Sequence, residues 1–252
     1  MTVKNDNIQN MENNNMEPGN QFWGIKHLPN AITCLNLFSG CCGVWLAFKG
    51  NYVGATVAIM LSAFFDFMDG MVARLVNAYS EMGKELDSLA DVVSFGLVPG
   101  AMIFSMLSTV GVVQNYTFLA FLIPVFSALR LAKFNIDTRQ TSSFIGLPTP
   151  ANAIFWGGIA VSFAGWFSEN YIVLIIVTLI FSYLLVSEIP MFSLKFKNFG
   201  WKDNKLQFIF LGVCVLLIIF LQVDAIAPII LWYILLSVFA PRLPKGGADV
   251  AN

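Results

Sequence analysis

Charged residues are scarce in this chain: 12% of its 252 residues are Asp, Glu, Lys or Arg, against roughly 25% in soluble domains. A basic excess is absent too, since 14 Lys and Arg stand beside 15 Asp and Glu, so we expect no nucleic-acid partner. With 57% hydrophobic residues and 24 Phe, the chain has too little polar surface to cover a water-soluble globule. These absences exclude a cytosolic enzyme and a disordered protein, and predict an integral membrane protein.

Zinc ligands are also few. The chain has one His, and its four Cys include no CxxC pair, so no zinc site is expected. The first 20 residues contain seven Asn and no apolar run, which predicts no cleavable signal peptide. We expect residues 1–20 to be a disordered cytoplasmic tail and residues 242–252 a second, short cytoplasmic tail.

Long apolar runs fill the remainder of the chain, residues 21–241. A helix needs about 20 apolar residues to cross a bilayer. The sequence therefore predicts an all-α integral membrane domain of about eight transmembrane helices, at roughly 30–48, 52–72, 88–112, 116–134, 150–167, 170–190, 207–222 and 225–240. Asp224 between the last two predicts a tight turn.

The basic residues orient these spans. If the N-terminus lies inside, the outer loops hold only Lys49, whereas the cytoplasmic segments and helix ends hold Lys4, Lys26, Arg74, Lys84, Arg130, Lys133, Arg139, Lys195, Lys197, Lys202, Lys205, Arg242 and Lys245. Such a bias towards positive charge on the inner side is the usual determinant of membrane orientation. We expect a multi-pass protein of the cell membrane with both termini in the cytoplasm.

Four carboxylates interrupt the apolar pattern near the cytoplasmic ends of the second and third spans. Asp66 and Asp69 are three residues apart and Asp87 and Asp91 are four apart, so each pair lies on one helix face. The short connection makes the two helices antiparallel neighbours, so the pairs can converge. A carboxylate within a span costs about 2.5–3.5 kcal/mol, and four that repel one another need a cation. Ligand sets of oxygen alone favour Mg²⁺ or Mn²⁺, and two such ions would hold a diphosphate.

Small and basic residues accompany these carboxylates at fixed spacing. The pattern resembles the signature of the CDP-alcohol phosphatidyltransferase family, with all eight motif residues in place: Asp66-x2-Asp69-Gly70-x2-Ala73-Arg74-x8-Gly83-x3-Asp87-x3-Asp91. The resemblance implies a fold with six core helices, a homodimer, a CDP-activated lipid donor and two divalent cations held by Asp66, Asp69, Asp87 and Asp91. It further implies that Asp91 is the catalytic base and that CDP-diacylglycerol contacts Asn30, Thr33, Gly70, Ala73, Arg74, Ser80 and Gly83.

Other segments bear on the acceptor alcohol. Residues 126–135, 144–152 and 186–190 resemble the phosphatidylserine synthase branch of that family, which implies L-serine as acceptor. Serine would need a cation for its carboxylate and acceptors for its ammonium group. We expect Arg130 to bind the carboxylate, with Lys133 and Asn135 as further contacts. The active site would face the cytoplasm, because serine is soluble in water and the diacylglycerol is not.

Two alternatives stay open at this point. The same catalytic core could use another acceptor, glycerol 3-phosphate or an inositol phosphate, with Arg130, Lys133 and Arg139 around its phosphate. A cation-coupled transporter is the alternative outside the enzymes, because carboxylates within a membrane commonly mark ion paths. Transporters tend to place such charges near the midplane on related halves, whereas here they cluster on one helix pair.

Overall fold

The computed structural model describes residues 27–109, 116–137, 144–192, 200 and 204–239, and within these residues the chain is mainly helical, as predicted. The predicted tails, 1–20 and 242–252, lie outside the described residues. Two short strands, β1 (Phe144–Ile145) and β2 (Pro190–Met191), pair antiparallel. The helices are α1 Leu28–Phe48, α2 Tyr52–Leu75, α3 Glu81–Ser108, α4 Thr117–Ile136, α5 Thr149–Ser162, α6 Ala164–Glu169, α7 Tyr171–Val186, α8 Lys205–Leu221 and α9 Ile226–Phe239.

Among the described residues, five helical segments are long and apolar enough to cross a membrane: α1, α2, α3, α4 and the combined segment Lys205–Phe239. Large apolar side chains point outward from them, with Phe38 67%, Trp45 61% and Phe220 78% exposed. An outward apolar surface of this kind suits lipid rather than water. The protein is therefore an all-α, multi-pass membrane protein.

The segment Lys205–Phe239 folds back on itself. Its two helices meet at a 3₁₀ turn, Gln222–Ala225, where Gln222 has a φ of 50°. The ring centroids of Phe210 and Tyr233 lie 6.1 Å apart, whereas a straight helix would separate these residues by about 34 Å. The turn lies at Asp224, as the sequence predicts.

Three predicted spans differ from the structure by four residues or more at one end. The predicted span 88–112 begins seven residues earlier, at Glu81, because the polar first turns of α3 carry no hydropathy signal but are capped by the Ser80 side chain. The predicted span 150–167 is interrupted after Ser162, where Phe163 leaves helical geometry. The predicted span 170–190 ends at Val186, and α7 is only 16 residues long.

A π-helical turn interrupts α3 directly after Asp91, over Val92–Leu97. Pro99 follows this turn, and proline can neither donate a backbone hydrogen bond nor tolerate a regular turn before it. A wider turn relieves that conflict, and π-turns are frequent at functional sites. The turn changes the direction in which the polar first half of α3 presents its side chains relative to the apolar second half.

Small residues let the helices approach closely. A Cβ added to Gly40 of α1 would lie 2.3 Å from the Ser94 hydroxyl oxygen of α3, so this crossing requires glycine. Small residues at helix crossings are typical of membrane proteins, where close backbone approach replaces hydrophobic driving force. The apolar core lies around Phe95, Met102 and Trp156, all fully buried. This core joins α1, α2, α3 and α5.

Candidate active site

Asp66, Asp69 and Asp87 form a carboxylate triad between the C-terminal turns of α2 and the first half of α3. Each offers one oxygen, and the three oxygens lie within 4.8 Å of one another. Two full charges at that distance repel by about 3 kcal/mol at an effective dielectric constant of about 20. One carboxylate oxygen of Asp87, Oδ1, is buried without a hydrogen-bond partner among the described residues. The donor set and this free oxygen fit a divalent cation with oxygen ligands.

Asp91 lies one helical turn beyond Asp87 and outside the triad. Its carboxylate is buried, and Oδ1 accepts a hydrogen bond of 3.3 Å from the Asn36 side-chain amide of α1. Asp91 is close enough to interact electrostatically with all three triad carboxylates and with the Arg130 guanidinium of α4. This carboxylate therefore stands between the negative triad and a buried positive charge.

The hydroxyl of Thr33 orders the triad from α1. It donates a hydrogen bond to Asp69 Oδ2, and Thr33 is 3% exposed. The pairing favours one rotamer of Asp69, whose carboxylate also offers one oxygen to the triad. A fixed carboxylate is a better metal ligand than a mobile one, because hydrogen bonds from neighbouring groups orient the ligating atoms.

A cavity of about 590 Å³ opens beside the triad. Asp69 and Asp87 contribute to its wall, as do six of the seven residues predicted to bind CDP-diacylglycerol: Asn30, Thr33, Gly70, Ala73, Ser80 and Gly83. A Cβ on Gly70 would contact nothing within 4 Å among the described residues, so this glycine keeps the wall open. The volume and the small wall residues suit a nucleotide diphosphate beside a cation.

Three of the residues predicted to contact CDP-diacylglycerol lie at the end of α2 and around the start of α3: Arg74, Ser80 and Gly83. Arg74 is exposed in the last turn of α2 and does not belong to the cavity wall. Ser80 caps α3, its hydroxyl accepting a 2.9 Å hydrogen bond from the backbone N–H of Gly83. A Cβ on Gly83 would lie 3.0 Å from both Asn30 Oδ1 and Ser80 Oγ, which accounts for a glycine at this position.

The three predicted acceptor residues, all on α4, separate in the structure. Arg130 is 6% exposed, and its Nε has no hydrogen-bond partner in the described part of the chain. Lys133 pairs with Glu188 in an exposed ion pair. The amide of Asn135 donates to Ser88 Oγ at 2.9 Å, next to Asp87. Of the three, Arg130 is the residue that interacts electrostatically with Asp91.

Sequence reasoning missed Asn36, although a signal for it exists. Asn30, Thr33 and Asn36 recur every three residues on α1, so they form one polar stripe on an otherwise apolar helix. The stripe faces the carboxylates: Thr33 bonds Asp69, and Asn36 bonds Asp91. Asn36 also ties three helices together, because its backbone carbonyl accepts hydrogen bonds from Ser62 of α2 and Ser94 of α3, each of 3.1 Å.

Several known proteins are similar to this chain in sequence. The chain is 37% identical over 169 residues to a CDP-diacylglycerol–serine O-phosphatidyltransferase of Bacillus subtilis, covering 66% of this chain and 89% of that protein. It is 38% identical to the enzyme of the same name from Mycobacterium leprae and 39% identical to that from Saccharomyces cerevisiae, covering 66% and 53% of this chain. The matches span only 58% and 53% of the length of those two proteins.

The family's sequence profile extends well beyond the carboxylate motif. The profile described as CDP-alcohol phosphatidyltransferase matches residues 26–240, which include every helix from α1 to α9. The signature of eight residues, the triad and the whole helical scaffold thus fall within one match. The chain belongs to the CDP-alcohol phosphatidyltransferase family.

Proposed function

We propose that this protein transfers the phosphatidyl group of CDP-diacylglycerol to the hydroxyl of L-serine, giving phosphatidylserine and CMP. The observation that carries the proposal is the position of Asp91. It lies beside the carboxylate triad that would hold the diphosphate through cations, and beside the Arg130 guanidinium that would hold the acceptor. Three similar proteins bear the name of this activity.

The proposed arrangement in the membrane follows the distribution of basic residues. Residues 21–241 form one membrane domain of eight spans with six core helices, and both termini lie in the cytoplasm. The carboxylates then lie at the cytoplasmic side of the cell membrane, where water-soluble serine and CMP exchange. The acyl chains of the donor lie between helices, in contact with lipid, and the active unit is a homodimer.

The donor binds in the cavity beside the triad. Asp66, Asp69, Asp87 and Asp91 would hold two divalent cations, Mg²⁺ or Mn²⁺, which would neutralise the diphosphate and stabilise the departing CMP. Asn30, Thr33, Gly70, Ala73, Ser80 and Gly83 surround the nucleotide diphosphate, with Arg74 at the mouth of the cavity. The glycines allow the diphosphate to approach the backbone.

Asp91 acts as the general base. A serine hydroxyl is a weak nucleophile at its free pKa and needs a base within hydrogen-bonding reach. Asp91 takes the hydroxyl proton while the serine oxygen forms a bond to the lipid-linked phosphorus. The bond from this phosphorus to the bridging oxygen breaks, and its electron pair leaves with CMP. The Asn36 amide holds the carboxylate of Asp91 in place during this transfer.

The charge balance around Asp91 favours serine over a phosphorylated acceptor. Arg130 offers one positive charge, and Lys133 is already engaged by Glu188 at the surface. One cation beside one carboxylate suits a zwitterion, whereas a phosphate dianion would need several cations in the same pocket.

The test is CMP release by the purified full-length protein with CDP-diacylglycerol and Mn²⁺ or Mg²⁺. L-serine, glycerol 3-phosphate and inositol phosphate are compared at equal concentration. We expect release with serine at least 100-fold above that with either phosphorylated alcohol. Release that follows glycerol 3-phosphate or inositol phosphate instead would retain the catalytic core and contradict the assignment of the acceptor.

Asn36 gives a second prediction. Replacing it with Ala removes the hydrogen bond to Asp91, so we expect kcat to fall roughly ten- to a hundredfold while the KM for CDP-diacylglycerol stays within threefold. The matched control is Ser39→Ala. It removes a polar contact about one turn further along α1, the 3.0 Å hydrogen bond from the Ser39 hydroxyl to the Ala58 carbonyl of α2. A kcat within twofold of the wild type in Asn36→Ala would show that Asp91 needs no such support.

A further inference from the structure

Several buried polar side chains have atoms without hydrogen-bond partners among the described residues. The side chain of Asn152 on α5 is fully buried, and neither its Nδ2 nor its Oδ1 has a partner there. Asn36 Oδ1 and Arg130 Nε share this condition. Buried polar groups are nearly always hydrogen-bonded in native proteins. An amide with both its donor and its acceptor unused within the described chain is able to bind a ligand that offers an acceptor and a donor.

The register of α5 against α9 places Asn152 at a definite depth. A Cβ on Gly158 of α5 would lie 2.7 Å from the backbone nitrogen of Ala227, at the start of α9. The C-terminal half of α9 lies beside the residue that follows β2, because the Tyr233 hydroxyl donates a 3.1 Å hydrogen bond to the Phe192 carbonyl. Strand β2 pairs with β1, which leads into α5. The two helices are therefore antiparallel.

Asn152 lies six residues before Gly158 on α5, and Tyr233 lies six residues after Ala227 on α9. Because the helices are antiparallel, the two residues lie at about the same depth. Both lie about 9 Å from the contact between Gly158 and Ala227, at a rise of 1.5 Å per residue. Tyr233 interacts electrostatically with Arg130, and Arg130 with Asp91. Asn36, Asp91, Arg130, Asn152 and Tyr233 are thus buried polar residues at about the same depth in the helix bundle, and we call them the buried polar layer.

The contacts of α5 with α2 give the same depth independently. A Cβ on Gly157 of α5 would lie 2.9 Å from Thr56 of α2. Asn152 lies five residues before Gly157 on α5, and Ser62 lies six residues after Thr56 on α2. Ser62 bonds the carbonyl of Asn36, whose amide bonds Asp91. The helix α5 also packs against the π-turn that follows Asp91.

We propose that Asn152 is a specificity-determining residue for the alcohol acceptor, and that its amide binds the amino-acid end of that acceptor between Arg130 and Asp91. The inference rests on the proposed function. In the buried polar layer, Asn152 Oδ1 accepts a hydrogen bond from the ammonium group and Nδ2 donates one to the carboxylate, beside the Arg130 guanidinium. The hydroxyl of the same molecule then points to Asp91. A zwitterion supplies the donor and the acceptor that this amide lacks.

The experiment measures initial rates of CMP release by the full-length protein, with serine and CDP-diacylglycerol varied separately. For Asn152→Leu we expect the serine KM to rise about ten- to a hundredfold, since bonds to two charged groups are lost. The KM for CDP-diacylglycerol should stay within threefold. Preference for serine over 3-hydroxypropionate, which lacks the amino group, should fall by at least tenfold, because the amide no longer reads the ammonium.

The matched control is Ser162→Ala. Ser162 lies on the same helix about 15 Å away and also carries a buried hydroxyl without a partner among the described residues. We expect this variant to keep both KM values. If Asn152→Leu does not fold, Asn152→Ser, which is smaller and cannot clash, is judged by the same criteria.

Each outcome decides the inference. A serine KM within threefold of the wild type overturns it, and so does a parallel rise of both KM values with a lower melting temperature, which would mark a structural role. If the wild type uses another alcohol, the proposed acceptor is wrong, and the KM of Asn152→Leu for that alcohol decides the role of Asn152. If the wild type releases no CMP with any alcohol, calorimetric binding of L-serine decides it. Binding lost in Asn152→Leu supports the inference, whereas equal or absent binding in both proteins overturns it.

Discussion

Replacing Asp91 with Asn is expected to lower kcat for serine-dependent CMP release by about three orders of magnitude. Asparagine keeps the shape of the side chain and its contact with Asn36 but cannot take a proton. General bases commonly contribute about 10²–10⁴ to the rate. The low exposure of Asp91, 7%, leaves little room for water to replace the carboxylate as base. Rates are measured with saturating serine and CDP-diacylglycerol.

The control for this substitution is Asp224→Asn. It removes one carboxylate from the exposed turn between α8 and α9, and we expect kcat to remain within twofold of the wild type. A loss smaller than tenfold in Asp91→Asn, with an unchanged melting temperature, would show that another group takes the proton. Asp87 is the nearest alternative, because it lies one turn away on the same face of α3.

Asp91 also belongs to the predicted metal ligands, and the same variant separates the two roles. Asp91 is outside the triad whose oxygens lie within 4.8 Å of one another. We therefore expect the Mn²⁺ affinity of Asp91→Asn to fall much less than its kcat. Equal losses in affinity and in rate would assign Asp91 chiefly to the cation.

The convergence of the carboxylates could be predicted from the sequence because it depends on local geometry. Spacings of three and four residues set one face of each helix, and the short connection from Leu75 to Glu81 makes the two helices neighbours. The turn at Asp224 is equally local. Charge and glycine patterns over a few residues suffice for such features.

Other features depend on distant parts of the chain, and the sequence gives weak signals for them. The start of α3 at Glu81 was missed since its first turns are polar, so hydropathy cannot detect them. The pairing of Lys133 with Glu188 joins residues 55 positions apart. The depth of Asn152 depends on how α5 packs against α2 and α9, which no local spacing encodes. Helix packing in the bundle, rather than helix formation, decides these contacts.

Replacing Asp87 with Asn is expected to weaken Mn²⁺ binding at least 100-fold and to reduce CMP release by more than 10³-fold. The substitution leaves two carboxylates and one amide where the structure places three carboxylates, so the cation loses a charged ligand. The natural control is Glu85→Gln, which removes one exposed negative charge from the same helix. We expect this control to bind Mn²⁺ within twofold of the wild type.

Thermal unfolding distinguishes loss of the cation from loss of the fold. Without metal, Asp87→Asn should be at least as stable as the wild type, because the amide removes one ionisable group from three crowded carboxylates. With Mn²⁺ at about 100 times its Kd, the wild type gains about 2.7 kcal/mol and a higher melting temperature, which the variant should lack. Thr33→Val removes the hydroxyl that orients Asp69, so its Mn²⁺ affinity should be about tenfold weaker than that of the wild type. Its stabilisation by Mn²⁺ should therefore lie between those of the wild type and of Asp87→Asn. Equal stabilisation of wild type and Asp87→Asn by Mn²⁺ would place the cation elsewhere, and the proposed roles of the triad and of the cavity beside it would then both fail.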